Sequence, residues 1–380
     1  MTSPHSFPAE ATPPPTEATI VAVANLRRFV VDCLASSGVQ RDQGEIVAEA
    51  LLASDLRGID SHGVARLRRY VIGTRDGKID PRRNIRVVQE SPATALVDAG
   101  NGLGQPAARF AMELAMAKAE TVGVGMVAVQ HTNHFGIAGY YATLPLAKGL
   151  LGFATSNASP QVTPTHGAQP MFGTNPIGIG LPCGDGDDYV LDMSTSVVPR
   201  GKLERLRREG AAVEGDWAID GEGNPITELD GLIAGLIARS GLSILPLGGL
   251  GEANCGHKGF GLGLLVDLMC GPLTGSSWGR HVYGDKGADL GQWFAALRVD
   301  CFRPLEDFQR DARQLLAEIR GAKKAPGQLR IYIPGEKEAE AQAQRSAAGI
   351  PLLPPVVADL QALGQEVGVP FDTVLTGAKA

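Results

Sequence analysis

The sequence has little positive charge, few cysteines and no long apolar run, and each shortage excludes a class of protein. Lys and Arg number 35 against 41 Asp and Glu, for a net charge of −6. This balance argues against nucleic-acid binding, because phosphates require a basic surplus. The five cysteines form no C-x-x-C pair, which disfavours a disulfide framework or a zinc–thiolate site and favours free thiols in a reducing compartment.

The most apolar stretch, residues 229–250, is interrupted by Asp230, Arg239 and Pro246. It is too broken to span a membrane, so we expect a cytoplasmic protein without membrane contact. Residues 1–18 are rich in Pro, Ser, Thr and Ala and contain no apolar segment. They predict a flexible tail and not a signal peptide.

Glycine, in contrast, is abundant, with 49 residues in a chain of 380 and no G-X-Y period. Collagen is therefore excluded. Windows 123–186 and 248–291 hold 12 and 13 of these glycines. Since glycine permits tight turns and close approach of the backbone to a ligand, the two windows predict a sheet whose loops contact a bound molecule.

Hydrophobic periodicity predicts helices toward both ends and strands in the middle, which indicates an α/β chain. Asp42 is the expected N-cap of the second helix. Helices are predicted at 18–39, 41–58, 64–74, 105–122, 259–269, 305–320 and 336–348. Strands are predicted at 85–90, 94–98, 125–130, 151–156, 177–181, 189–193, 292–299 and 328–333.

Residues 102–107 read GLGQPA, a G-x-G-x-x-A run between a predicted strand and a predicted helix. A Rossmann unit uses such glycines to bring a pyrophosphate to the helix N-terminus and places an acidic residue about 20 positions later at the end of a strand. The register near Glu120 is still helical and no alternating βαβ series surrounds it. A glycine-rich loop that opens a helix is the favoured interpretation.

Residues 60–66 read DSHGVAR. A dehydrogenase of carboxylated substrates needs a His and an Arg such as His62 and Arg66 of this run. The imidazole exchanges the proton of the substrate oxygen, and the guanidinium binds the carboxylate. His62 and Arg66 lie one helical turn apart and Ser61 adjoins the His. A helix-capping Asp-Ser pair followed by a surface His explains the same run equally well.

His131 and His134 follow a predicted strand. Their spacing does not place both on one face of a strand, and no nearby Asp or Glu completes a ligand set. No metal is therefore expected, and a contact of His134 with cofactor or substrate is the better hypothesis. Runs of small hydroxyl and amide residues, among them Ser159, suit a ribose or phosphate. Lys258 opens a helix among glycines and predicts an anion site.

Seven ordered motifs together resemble the type-2 malate/L-lactate dehydrogenase family, which also includes ureidoglycolate dehydrogenase, diketogulonate reductase, sulfolactate dehydrogenase and Δ1-piperideine-2-carboxylate reductase. They are DSHG-x-x-R at 60–66, NHFG-x-x-G-Y-Y at 133–141, FGTNP at 172–176, DM-x-TS at 192–196, PLGG at 246–249, HKG-x-GL at 257–262 and PGE at 334–336. The resemblance spans residues 18–371. Two departures from it are a longer 203–244 segment and His166 where a Gly-Gly pair is common.

The resemblance implies an α/β (α+β) fold with a non-Rossmann, mostly antiparallel sheet domain that binds the cofactor. Residues 123–291 would form this domain. A helical domain that carries the substrate would be built from both termini, 19–122 and 292–380. The family resemblance also implies a homodimer.

By the same resemblance, His62 is the proton donor, Ser61 relays charge to it and Asp192 completes the relay, although His134 is the catalytic base in some relatives. Arg66 anchors the substrate carboxylate and Thr174 lies near the substrate. The expected cofactor contacts are His134, Phe135, Gly136, Asp192, Met193, Ser194, Pro334, Gly335 and Glu336, to which the residue patterns add Ser159 and Lys258.

The expected activity is that of an NAD- or NADP-dependent oxidoreductase, which transfers hydride between nicotinamide and a small 2-oxo or L-2-hydroxy acid. Reduction of a cyclic imine carboxylate is the alternative within the same family. A metallohydrolase built on His131 and His134, or a non-catalytic nucleotide-binding scaffold, is less favoured, because a scaffold needs neither His62 nor Arg66.

Overall fold

The computed structural model describes residues 18–371 except 83, 214, 285 and 286. The predicted tail lies outside these residues, apart from Ala18. Within the described ranges the helices are α1 (Val23–Ser36), α2 (Arg41–Leu56), α3 (Leu67–Arg75), α4 (Gly104–Val122), α5 (Ala138–Thr143), α6 (Arg200–Glu209), α7 (Leu229–Ala238), α8 (Gly256–Cys270), α9 (Leu305–Gly321), α10 (Glu336–Ala348) and α11 (Pro354–Val367). None of these described helices is both long and apolar enough to cross a bilayer.

The described strands are β1 (Thr19–Val21), β2 (Arg86–Glu90), β3 (Thr94–Asp98), β4 (Val124–Thr132), β5 (Leu150–Ser156), β6 (Ile177–Leu181), β7 (Tyr189–Met193), β8 (Ala218–Ile219), β9 (Ser243–Ile244), β10 (Tyr283–Gly284), β11 (Gly287–Ala288), β12 (Leu290–Arg298) and β13 (Ile350–Leu352). Seven of them form one mixed sheet in the order β2-β3-β4-β12-β5-β6-β7. The β3–β4 pair is parallel, and the other neighbouring pairs of this sheet are antiparallel.

The parallel pair belongs to a βαβ unit, because α4 connects β3 to β4. Alanines 107, 111, 115 and 119 follow one face of α4, and all four are buried in the core beside the sheet. A Cβ at Gly125 of β4 would overlap the Ala115 carbonyl. Small residues therefore let the helix and the strand approach closely.

A second core joins the two ends of the chain. α1, α2, α3 and α11 share one apolar cluster that includes Leu26, Leu51, Leu67 and Leu360. β1 pairs with β13 in an antiparallel ribbon. The predicted helical region built from both termini is present in this sense. β2 and β3 nevertheless join the large sheet from outside 123–291, and β12 crosses the boundary at 291. The division of the chain into two domains stays a prediction.

Three local predictions were wrong. In place of one helix over 18–39, Thr19–Val21 form strand β1 and the helix α1 spans only Val23–Ser36. Gln40, not Asp42, is the N-cap of α2, and the Asp42 carboxylate accepts the Gln43 N–H inside the first turn. Residues 328–333 form no strand, and the Ile333 N–H at their end donates to the Glu336 carboxylate at 3.0 Å.

Candidate active site

The loop between α2 and α3 carries His62 at the surface of the core that joins the two ends of the chain. Ser61 Oγ lies 2.8 Å from His62 Nδ1. The following Val64 N–H donates to the buried carboxylate of Asp55 at 2.8 Å, and a Cβ at Gly63 would overlap that carboxylate. The glycine of the DSHG run is therefore required by close packing of this loop on α2.

Arg66 closes the same loop. Its Nε donates to the Ser61 carbonyl at 2.7 Å, and its Nη2 donates to Glu204 Oε2 at 3.0 Å. The side chains of Arg66 and Glu204 are 19% and 18% exposed. The guanidinium is thus fixed beside His62, and its counter-ion comes from α6, far away in the sequence.

His134, just after β4, stacks beside His62 with ring centroids 5.6 Å apart and planes 19° from parallel. The Tyr70 hydroxyl lies 2.7 Å from His134 Nδ1, and the Gly136 N–H points at the same nitrogen at 3.4 Å. A backbone N–H only donates, so Nδ1 is the acceptor and the neutral ring carries its hydrogen on Nε2.

Both imidazoles are held neutral. Burial, together with the charges of Arg66, Arg69 and Arg200, lowers the pKa of His62 to about 3. Burial and the same arginines hold the pKa of His134 well below its usual value. A neutral imidazole is the form that accepts a proton. Both rings are therefore held in the form that can accept a proton.

A model of the malate/L-lactate dehydrogenase family matches residues 21–361. The chain belongs to this family. The prediction from seven motifs is thereby confirmed.

Two similar family members are a malate dehydrogenase of Pyrococcus horikoshii, 41% identical over 90% of this chain and 93% of its own, and an L-sulfolactate dehydrogenase of Methanocaldococcus jannaschii, 37% identical over 84% and 89%. A crystal structure of malate dehydrogenase from Entamoeba histolytica superposes with a TM-score of 0.90, at 32% identity over 93% of this chain and 99% of that one.

The names of two further relatives state a cofactor. One is the ureidoglycolate dehydrogenase (NAD(+)) of Escherichia coli O157:H7, 30% identical over 86% of this chain and 91% of its own. The other is the (2R)-3-sulfolactate dehydrogenase (NADP(+)) of Chromohalobacter salexigens, 34% identical over 68% and 74%.

Asp192 of this dehydrogenase-family chain lies near the end of β7, a strand that packs against α5. Burial raises its pKa to about 6, opposed by a hydrogen bond from Gly139 and the charge of Arg57. Among the described residues its Oδ2 has no hydrogen-bond partner, although it is buried. The groups around Asp192 include Gly139, Arg57, Glu338 and its sheet partner Gly178, and its place in a relay with Ser61 stays a prediction.

The segment 334–336 lies along β7, close to Asp192 in the strand. The Val190 N–H donates to the Pro334 carbonyl at 3.1 Å, and Gly335 adopts a φ of 98° with no room for a Cβ beside Val190. Glu336 accepts from Arg320 at 2.6 Å and from Arg330 at 3.0 Å. The carboxylate of Glu336 is therefore a structural anchor for this segment.

The remaining predicted contacts lie in several surroundings. The ring of Phe135 is buried against Tyr141 at 5.0 Å, so only its backbone is available to a ligand. The Thr174 carbonyl accepts the Thr195 N–H at 2.9 Å. Met193 pairs with Ile177 in the sheet, and Ser194 Oγ donates to the Ser196 carbonyl at 3.1 Å. Ser159 is half-buried, whereas Lys258 is exposed in the first turn of α8. Their roles toward cofactor and substrate stay predictions.

The two histidines of the HTNH run point apart. His131 Nδ1 faces the Asp98 carboxylate at 3.4 Å, and the backbone N–H of His131 donates to Ser276 Oγ at 3.0 Å. His134 instead faces the Tyr70 hydroxyl. No group of three His, Cys, Asp or Glu side chains in the described part of the chain could hold a metal ion. His166, the departure from the family pattern, contacts Glu252 at 3.3 Å on the exposed surface.

Sequence reasoning missed three residues at the site, namely Tyr70, Arg200 and Glu204. Tyr70 lies one helical turn after Arg66, and this spacing would have indicated that both side chains lie on one face of the helix. Arg200 and Glu204 lie on α6, and only Glu204 falls within the 203–244 segment that was noted for its length. No local pattern connects that helix to the DSHG loop.

Proposed function

We propose that this chain is an NAD(P)-dependent oxidoreductase that transfers hydride between nicotinamide C4 and the α-carbon of a small 2-oxo or L-2-hydroxy acid. The observation that carries the proposal is the single loop that holds His62 and Arg66 beside His134. Membership of the malate/L-lactate dehydrogenase family supports it, since relatives are named for malate, sulfolactate and ureidoglycolate.

Arg66 binds the substrate carboxylate. A guanidinium offers two parallel N–H donors that match the two carboxylate oxygens. This grip fixes the α-carbon relative to the histidine pair, and such positioning supplies much of the rate of a bimolecular reaction.

His62 exchanges the proton of the substrate oxygen. Its Nδ1 is engaged by Ser61 at 2.8 Å, which leaves Nε2 for the substrate. The neutral ring accepts the hydroxyl proton during oxidation and returns it during reduction. Binding of an anionic substrate offsets the nearby arginine charges and so raises the pKa of His62 toward the range in which transfer in both directions is efficient.

A nicotinamide cofactor supplies the hydride when it is bound. The buried, unpartnered Asp192 Oδ2 fits such a group, because it can accept a hydrogen bond from a ribose hydroxyl or a carboxamide. We assign the neighbouring Met193, Ser194, Pro334 and Gly335 to the same contact surface. His134, Gly136 and Ser159 face the nicotinamide end in this proposal, and Lys258 faces a phosphate.

The cofactor would then bind on a mostly antiparallel sheet and not at a Rossmann turn. The G-x-G-x-x-A run supports this assignment. A Cβ at Gly104 would overlap the carbonyls of Asn133 and His134, so this glycine permits contact between two protein segments. It does not open space for a pyrophosphate.

We also propose a cytoplasmic homodimer. The five cysteines are unpaired, as expected in a reducing compartment. α8 exposes Leu264, Leu265 and Leu268 at 41%, 50% and 52%. Contiguous exposed apolar residues of this kind mark association surfaces in soluble proteins.

The activity is tested with a panel of 2-oxo acids and cyclic imine carboxylates, each mixed with NADH or NADPH, by following the absorbance of the reduced nicotinamide. Reduction of at least one 2-oxo acid is the expected result. Turnover of imines alone would favour the alternative reaction. A panel without turnover with either cofactor would contradict the proposed function.

A further inference from the structure

The described arginines around the histidine pair outnumber the carboxylates that pair with them. The charges of Arg66, Arg69 and Arg200 all reach the His62 ring. Glu204 supplies the carboxylate in the ion pairs of both Arg66 and Arg200, whereas Arg69 donates to the neutral phenol of Tyr283. Among the described residues, the site therefore carries a surplus of positive charge.

These charges are poorly hydrated. The side chains of Arg66, Glu204 and Arg200 are 19%, 18% and 25% exposed. A charge withdrawn from water requires a counter-charge, because desolvation is costly when it is not compensated. One carboxylate shared by two guanidinium groups supplies half of the compensation, so the site favours a ligand that brings further negative charge.

The two guanidinium groups are close enough to act on one small molecule. Arg66 Nη2 lies 3.0 Å from one oxygen of Glu204, and Arg200 Nε lies 2.9 Å from the other. The two donors thus bracket a single carboxylate. Arg200 therefore places a second guanidinium beside Arg66, at which a second anionic group of a small acid can bind.

The first turn of α6 brings Arg200 to this position. Arg200 and Glu204 are four residues apart and so lie on one face of the helix. A Cβ at Gly201 would lie 2.5 Å from the Ser61 Cβ and 3.3 Å from Arg66 Nη2. Because this residue is glycine, the start of α6 can pack directly on the loop that carries His62.

We propose that Arg200 is a specificity-determining residue that binds a second anionic group of the substrate, so that this chain favours 2-oxo or 2-hydroxy acids with two anionic groups over those with one. The inference rests on the proposed function. Arg66 holds the carboxylate beside the reacting carbon, and Arg200 holds the distal anion. Glu204 occupies both arginines before substrate binds and gives up part of its contact when the dianion enters.

The test compares oxaloacetate, a dianion, with pyruvate, a monoanion, in steady-state kinetics of the full-length protein. The variants are Arg200→Gln, which removes the charge, and Arg200→Lys, which keeps it. Lys202→Gln is the matched control, because the Lys202 ammonium lies 5.0 Å above the Trp217 ring on the same helix. The KM of the nicotinamide cofactor is measured in each variant.

The wild-type protein is expected to have a lower KM for oxaloacetate than for pyruvate. Arg200→Gln should raise the KM for oxaloacetate by at least ~10-fold, the effect of losing a hydrogen bond between charged groups. Its KM for pyruvate should stay within ~2-fold by the same reasoning, since pyruvate has no second anion to lose. Arg200→Lys should lose less than Arg200→Gln, and Lys202→Gln should match the wild type.

Equal increases in KM for both acids would overturn the inference, since Arg200 would then support the fold or Arg66 alone. So would a wild-type protein without preference between the acids, or a change confined to the cofactor KM. Each of these results leaves the proposed function intact. Absence of turnover with every 2-oxo acid would instead overturn the proposed function itself.

Discussion

His62 is the residue at which chemistry and binding can be separated. Its Nδ1 contacts Ser61 and its ring stacks on His134, so a truncation leaves Arg66 and the sheet unchanged. We expect His62→Ala to lower kcat by ~10²–10⁴-fold, the usual contribution of a positioned acid–base group. Cofactor affinity, followed by the fluorescence of bound reduced nicotinamide, should stay near that of the wild type.

His131→Ala is the control for that experiment. This imidazole faces Asp98 and not the histidine pair, so its removal should leave kcat nearly unchanged. If His62→Ala retained normal turnover while a His134→Ala protein lost it, the proton transfer would be reassigned to His134.

The depressed pKa of His62 also links stability to pH. The folded protein keeps the ring neutral down to about pH 3, whereas the unfolded chain protonates it near its ordinary value of 6.5. Between these values the unfolded state binds more protons, so acid favours unfolding. The stabilisation is fully present above pH 6.5 and is lost as the pH falls toward 3. His134 acts in the same direction, because its pKa is also lowered.

We therefore expect the histidine contribution to make the free energy of unfolding, measured with urea, smaller near pH ~5 than near pH ~7, whereas the raised pKa of Asp192 acts in the opposite direction. His62→Gln should reduce this difference, because Gln does not titrate. The readout is the slope of the free energy of unfolding against pH. The free energy at a single pH is not compared, because the substitution can change it for other reasons. An identical slope in both proteins would show that the His62 environment is not the one described.

At the scale of elements, α6 tests how closely a helix must pack on the catalytic loop. Gly201→Ala would place a Cβ 2.5 Å from the Ser61 Cβ, although alanine is the better helix former. α6 must then move away from Ser61 and Arg66. We expect the KM for the acid to rise, by up to ~10²-fold for a displacement of about 1 Å, while far-UV circular dichroism stays constant.

Gly321→Ala is the matched control, since it ends α9 and its added Cβ would meet no atom within 4 Å. It should have wild-type kinetics. Normal kinetics in Gly201→Ala as well would mean that α6 can shift without cost and does not position Arg200 or Glu204.

The same scale shows how far the sequence could predict the fold. α4 and strands β3 to β7 were predictable because their periodicity is set by burial against neighbours in the sheet. Residues 328–333 alternate equally well, yet the Glu336 carboxylate takes up the Ile333 N–H. Local pattern does not reveal whether a partner strand exists. α6 was missed because seven of its ten residues are charged and only Leu203 and Leu206 indicate an apolar face.

For the whole molecule, the predictable part of the site was the part contained in contiguous runs. Ser61, His62 and Arg66 share one loop, in which Ser61 Oγ lies 2.8 Å from His62 Nδ1 and Arg66 Nε donates to the Ser61 carbonyl. The Arg66–Glu204 ion pair joins residues 138 positions apart. Such a contact depends on how α6 packs against the loop that carries Ser61 and Arg66. A single sequence contains no signal for that packing.

The proposed homodimer is a property of the whole molecule and has its own test. α8 presents Leu265 and Leu268 at 50% and 52% exposure, and water-exposed leucines in contiguous positions gain free energy when a second copy covers them. We expect the wild-type protein to sediment as a dimer and Leu265→Glu/Leu268→Glu to sediment as a monomer, because two buried carboxylates would oppose association. Leu315→Glu is the control, since that residue is 56% exposed on α9, outside the apolar face of α8. A dimer that survives the double substitution would place the interface elsewhere, and a monomeric wild type would contradict the homodimer itself.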